Sequence, residues 1–176
     1  MLDERRIKEA ENNVKSYLDE GLLKKATMNK QIIDVLLRNA KESLKIAEEI
    51  HQRNLSELWV IVCSYYAMYY YANAVLLKIG YKVGHKISHK VTNDALIVFV
   101  RNKLKKSFLE DFEEAKEEAL ELAGLKADEI IESFEFERIK RTRFQYEMTE
   151  IVKKSKAETS LNRAKKFVFE MEKLLM

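Results

Sequence analysis

Residues 58–77, LWVIVCSYYAMYYYANAVLL, run for twenty positions without a charge, between Glu57 and Lys78. A helix of that length is long enough to cross a bilayer. Five tyrosines argue against that use: Tyr65, Tyr66, Tyr69, Tyr70 and Tyr71 sit near the middle, with Ser64 and Asn73. Tyrosine favours the membrane–water interface, and its hydroxyl needs a partner that lipid does not supply. The stretch therefore reads as a helix buried on most sides, whose hydroxyls bond to neighbouring helices or line a polar seam. Other helices must then each turn one apolar stripe towards it.

The remaining chain supplies such helices. A first, from about residue 4 to 20, carries only a sparse apolar set (Ile7, Ala10, Val14, Tyr17, Leu18) and stops at Gly21. It is expected to lie on the bundle, with Leu22 and Leu23 as an apolar tether. A second, from about residue 29 to 53, repeats Ile33, Leu36, Leu37, Ala40, Leu44, Ala47 and Ile50 at helical spacing. Ser56 is placed to cap the central helix, which ends near Ile79; Gly80 and Gly84 mark a loop. A fourth helix begins near Ser88 with Val91, Ala95, Val98 and Phe99 inward. Ser107 with Glu110, and Ser155 with Glu158, match the capping-box spacing and predict two further helix starts. Asp128 is placed to cap a helix between them, and the last helix carries Ala157, Leu161, Ala164, Val168, Met171 and Leu175 on one stripe.

With no proline, four glycines and 35% charged residues in a chain of 176, this pattern predicts an all-α protein: an antiparallel up-and-down bundle of four to five core helices plus peripheral helices. One domain over 1–176 is expected, with 1–28 a peripheral N-terminal helix and 29–176 the bundle. The single cysteine, Cys63, permits no intrachain disulfide, and the charged N-terminus has no apolar signal region. A soluble, cytoplasmic protein is the expectation.

Net charge is only +3, but it is unevenly placed. Residues 78–106 hold eight basic side chains and one acidic; residues 107–137 hold two basic and twelve acidic; residues 138–176 hold eleven basic and five acidic. A basic face beside an acidic one steers a polyanion to one side of a molecule. The same charges also serve as ordinary solvated faces of helices.

Metal and nucleophile motifs are thin. Glu48 and His51 form one Glu-x-x-His pair, whereas di-iron bundles need two plus further carboxylates. His85 and His89 are four apart without a third ligand in view, and His85 falls in the loop. Cys63 has no basic neighbour in sequence to activate it. No metal and no other cofactor is expected. The segment Arg138-Ile-Lys-Arg141-Thr142-Arg143-Phe-Gln145-Tyr146 is different: on a helix Arg138, Arg141 and Gln145 share one face, suited to clamping a phosphate. The alternative is that these arginines pair with the acidic residues of 107–137.

Several of these motifs together resemble the HEPN domain (higher eukaryote and prokaryote nucleotide-binding). They are Ser64-Tyr-Tyr-Ala-Met-Tyr69, Gly80-Tyr81, Ser88-His89-Lys90, the arginine segment, and the final Ala164-Lys-Lys-Phe-Val-Phe. Asn13…Tyr17-Leu-Asp-Glu-Gly-Leu-Leu23 is similar to the lead-in of archaeal members. The resemblance covers nearly the whole chain. It implies a bundle that forms a homodimer, and a nucleotide, RNA or small nucleotidyltransferase as partner, often in a toxin–antitoxin pair. Active members are metal-independent endoribonucleases carrying an Arg followed, four to six residues on, by a His. Arg141 matches that arginine, with Thr142 beside it where many members have Asn, but the later position leads to Tyr146.

That departure matters chemically. Imidazole titrates near neutrality and suits proton transfer to and from RNA oxygens. A phenol titrates near ~10 and is a poor base at pH 7. The resemblance therefore implies a binding module first, with Arg138, Arg141, Thr142, Arg143 and Gln145 holding nucleotide or RNA. It implies a nuclease second, with Arg141 and Tyr146 as its catalytic pair.

Overall fold

The computed structural model describes residues 2–122 and 154–176. The chain is an all-α, antiparallel up-and-down bundle with one small two-stranded ribbon. Its described elements are α1 (Glu4–Asp19), β1 (Leu23–Lys25), α2 (Lys30–Gln52), α3 (Glu57–Lys78), β2 (Tyr81–Val83), α4 (Ser88–Phe99), α5 (Lys106–Leu122) and α6 (Lys154–Leu175). A single 3-10 turn, Arg101–Lys103, follows α4.

Helix α3 is the apolar stretch, and it occupies the centre. It packs most extensively against α2 and α6, and also touches α4, α5 and β2. Val60, Ile61, Tyr65, Met68, Tyr71, Ala72 and Leu76 are all buried, so no face is wholly given to solvent. The helix is long and apolar enough to cross a membrane, and 72% of its most apolar window is buried within the protein. Its start is set by Ser56, whose hydroxyl accepts from the Trp59 N–H at 3.3 Å, and Glu57 adds a negative charge at the positive end of the helix dipole. Asp3 caps α1 and Asn29 caps α2 in the same way, through the N–H groups of Arg6 and Ile32.

Two helix starts differ from the capping boxes expected. Helix α5 begins at Lys106, so Ser107 lies inside it, and the Glu110 carboxylate instead accepts from the Leu2 N–H at 2.8 Å. Helix α6 already includes Ser155, whose carbonyl accepts from the Thr159 hydroxyl at 2.8 Å. In both cases the serine is the second residue of the helix and not the residue before its first.

The short ribbon was not foreseen. β1 and β2 pair antiparallel, with Leu23 opposite Val83, Lys24 opposite Lys82 and Lys25 opposite Tyr81. The Gly84 N–H donates to the Leu22 carbonyl at 2.7 Å, and a Cβ on Gly84 would stand 3.0 Å from that oxygen. Gly80 turns the chain out of α3 at φ +92, where L side chains are strained. Leu23 is fully buried, so the expected apolar tether is the inward residue of β1.

The last helix buries Ala157, Ser160, Leu161, Ala164, Phe167 and Met171, while Val168 and Leu175 are half-buried. Phe112 of α5 joins three helices: its ring lies 5.3 Å from Phe167 of α6 and 5.8 Å from Tyr65 of α3.

Candidate functional site

Arg138, Arg141, Thr142, Arg143, Gln145 and Tyr146, together with the helix expected after Asp128, lie outside the described residues. Two groups of polar side chains stand out among the residues that are described.

The first is an aromatic cluster between α3 and the start of α4. Positions 65, 66, 69 and 70 fall on adjoining turns of α3, so their rings meet on one side of the helix. Tyr65 is fully buried, and its Oη lies 2.7 Å from His89 Nδ1, sharing a hydrogen bond. The His89 ring packs 4.5 Å from Tyr69 and meets Tyr66 edge-on at 5.9 Å. Tyr66 in turn touches Tyr69 and Tyr70 at ring separations of 6.2 and 6.0 Å. Tyr66, Tyr69, Tyr70 and His89 are half-buried, and Lys86 and Lys90 beside the helix start are exposed. Ser64 is different: it is fully buried with no hydrogen-bond partner among the described residues, so it fills space against the neighbouring helices.

The Tyr65–His89 bond fixes the imidazole by one nitrogen, and three tyrosine rings limit its rotation. An imidazole held in one orientation by Nδ1 has the chemistry of a hydrogen-bonding or proton-transfer group at its other nitrogen.

The second group is a buried charge network that joins α1, α4 and α5. Asp94 is only 1% exposed and accepts from Arg6 Nη2 at 2.6 Å, Asn13 Nδ2 at 3.0 Å and Tyr17 Oη at 2.9 Å. Arg6 also donates from Nε to Glu113 at 2.9 Å, and Asn93 donates to the same carboxylate at 3.0 Å. Burial works against the Glu113 carboxylate, but bonds from Arg6 and Asn93 and the charge of Arg6 outweigh it and hold its pKa below the usual value. Burial, then the Asp94 charge, pushes the Tyr17 phenol well above its ordinary range. The network ties α1 to the bundle, and it leaves Arg6 Nη1 buried without a hydrogen-bond partner among the described residues.

Sequence reasoning missed Asp94, yet one signal was present. It is the only acid among the eight basic residues of 78–106, and it falls three residues after Val91, on the inward stripe of α4.

The other singled-out residues do not converge. Glu48 pairs with Lys165 of α6 at 2.8 Å, while His51 sits in the last turn of α2. His85 is exposed between β2 and α4. Among the described residues no group of three or more His, Cys, Asp or Glu side chains is gathered to hold a metal ion. Cys63 is half-buried, and burial raises its thiol pKa, which lowers its reactivity at neutral pH. The acidic face of α5 is partly neutralised by Arg6 and by Arg163, which reaches Asp111 at 3.2 Å and also pairs with Glu114.

Fold and cluster together define a helical bundle that presents a tyrosine–histidine group at one side of its central helix. No family model matches the sequence, and no curated protein matches it.

Proposed function

We propose that this protein is a HEPN-like helical binding module, a homodimer that associates with RNA or nucleotide, or with a nucleotidyltransferase partner, in the cytoplasm. The observation that carries the reading is the set of half-buried rings of Tyr66, Tyr69, Tyr70 and His89. Bases stack on aromatic side chains with little sequence preference, at roughly 1–3 kcal/mol per base. The helical-bundle fold agrees with the HEPN resemblance. Arg138, Arg141, Thr142, Arg143 and Gln145 supply the phosphate-binding surface in this reading, with guanidinium forks suited to phosphate oxygens.

A second reading is favoured by His89. Metal-independent RNA cleavage needs a general base near neutrality, and a phenol such as that of Tyr146 is a poor base there. His89, oriented by Tyr65, is an imidazole of the right kind. The protein is then an endoribonuclease, with Arg141 stabilising charge on the phosphorane and Tyr146 relaying a proton.

One experiment separates the two. End-labelled single-stranded RNA is incubated with the protein in excess chelator, beside Arg141→Ala and His89→Ala. The binding reading predicts retention without cleavage, reduced at least tenfold by Arg141→Ala. Cleavage that falls roughly 100- to 10,000-fold in His89→Ala establishes the nuclease instead. If neither retention nor cleavage occurs, RNA is not the ligand. A monomer at micromolar concentration in size-exclusion chromatography removes the homodimer.

A further inference from the structure

Where the described chain takes a left-handed backbone, it uses residues suited to it, with one exception. Gly21 and Gly80 stand at φ +73 and +92, and Asn54 at φ +50. Glycine has no Cβ to clash there, and asparagine visits the region readily. Ile87 is the exception, at φ +42 and ψ +32. A β-branched residue is an outlier in this region. The region is disfavoured by roughly tenfold for an ordinary L residue.

Ile87 is also a poor start for a helix. Helices α1, α2 and α3 follow Asp3, Asn29 and Ser56, each extended and each capping through its side chain. Helix α4 follows Ile87, which makes no side-chain cap bond. Both unfavourable features fall just before His89. Strain of this kind persists only where surrounding contacts over-determine it. Here the Ile87 side chain is half-buried and packs on the core, and its carbonyl accepts from the Val91 N–H at 3.0 Å. The Tyr65–His89 bond, at 2.7 Å, holds the same first turn of α4 against α3. Burial then divides α4 sharply: residues 91–97 are all buried, whereas none of residues 84–90 is. Asp94 adds its bonds to Arg6, Asn13 and Tyr17 in the buried part. A change of backbone at Ile87 therefore moves the first turn of α4 while the rest of the helix stays anchored.

We infer that Ile87 is the hinge of a two-state seat for His89. With residue 87 left-handed, His89 is seated on Tyr65 and beside Tyr69. With residue 87 at negative φ, the first turn of α4 unwinds and His89 leaves Tyr65. Glycine or asparagine at this position would lock the seated state. Isoleucine keeps the two states close enough in energy for both to be populated. The inference rests on the Tyr65–His89 cluster being the functional site, and it gives that site a release built into the backbone.

The test is relaxation-dispersion NMR on the full chain without RNA, reading the His89 ring and the backbone amides of α4. This method reports exchange on the microsecond-to-millisecond scale. It compares the parent with Ile87→Asn, Ile87→Val and Ile87→Pro. The parent should show exchange at the His89 ring and at residues 86–90, and none at residues 91–97. Ile87→Asn lowers the cost of the left-handed turn, so its released population should fall by up to roughly tenfold. Ile87→Val keeps the β-branch and the same cost, and should exchange like the parent. Proline is fixed at φ of about −65° and excludes the left-handed turn. Ile87→Pro should therefore show the His89 ring at the chemical shifts of the parent's minor state.

A parent without exchange at His89 overturns the inference, and Ile87 is then a packing residue. Equal exchange in Ile87→Asn and Ile87→Val overturns it too, as does a folded Ile87→Pro with parent-like His89 shifts. If Ile87→Pro does not fold, the contrast between Ile87→Asn and Ile87→Val decides. Because RNA is absent from the measurement, a parent without exchange leaves the RNA reading standing. A parent that exchanges as expected but neither retains nor cleaves RNA keeps the hinge and loses that reading.

Discussion

Asp94→Ala should destabilise the protein by about 3 kcal/mol, towards the lower end of the range for breaking a buried ion pair. The carboxylate is 1% exposed and accepts from Arg6, Asn13 and Tyr17, so its removal strands three donors in a buried site. The loss stays near the lower end because Arg6 keeps its bond to Glu113. Urea denaturation gives the free-energy change from the midpoint shift, and amide exchange locates it. Protection should fall first along α1, because Arg6, Asn13 and Tyr17 all belong to that helix. Uniform loss of protection would mean that Asp94 supports the whole bundle equally. Asp94→Asn keeps an acceptor oxygen and should cost less than Asp94→Ala.

The same network sets an acid dependence. Glu113 has a lower pKa folded than unfolded, so its contribution is complete above the unfolded value. It is lost as the pH falls through the lower folded value. The stability difference between the parent and Glu113→Gln should thus be largest near neutrality and shrink below about pH 4. Burial raises Asp111 and Glu118, and these act in the opposite sense: their penalty lifts as the pH falls. The parent's own curve therefore mixes the two, and the difference from Glu113→Gln isolates the network. A difference that grows on acidification would contradict the assignment.

Phe112→Ala should cost about 3–5 kcal/mol, the usual loss for a fully buried phenylalanine. Its ring is completely buried and contacts Phe167 and Tyr65, so truncation opens a cavity where α3, α5 and α6 meet. Phe112→Leu refills much of that volume and should recover a large part of the loss. The difference between the two variants in urea measures the packing at that junction. The cavity also lies beside Tyr65, which holds His89, so Phe112→Ala should broaden the His89 ring signals in NMR. Sharp, unshifted His89 signals would show that the aromatic cluster is held without this support.

Much of the fold was legible before any coordinates, because helix formation is decided by neighbours in sequence. Spacing of three and four residues marked the inward stripes of α2 and α4, and Ser56 stood one residue before α3 as its cap. The uncharged run of 58–77 marked the centre of the bundle. The capping boxes at Ser107 and Ser155 were misplaced by local reasoning of the same kind. The Glu110 side chain chose Leu2, a partner 108 residues away, over its own helix start. The candidate site divides along similar lines. The tyrosines of α3 were visible as a run, but their meeting with His89 required α4 to fold back beside α3.

Sequence alone determined the class of this protein, all-helical around one uncharged helix, because periodicity and caps act over one or two turns. Only the tertiary structure decided that Asp94 is buried against Arg6 and Tyr17, partners 88 and 77 residues away. It also decided that Tyr65 orients His89, and that Lys24 faces Lys82 across a ribbon. Each of these depends on strands or helices distant in sequence being packed in one register. Burial sets that register, since the apolar faces must meet before the polar partners come within reach.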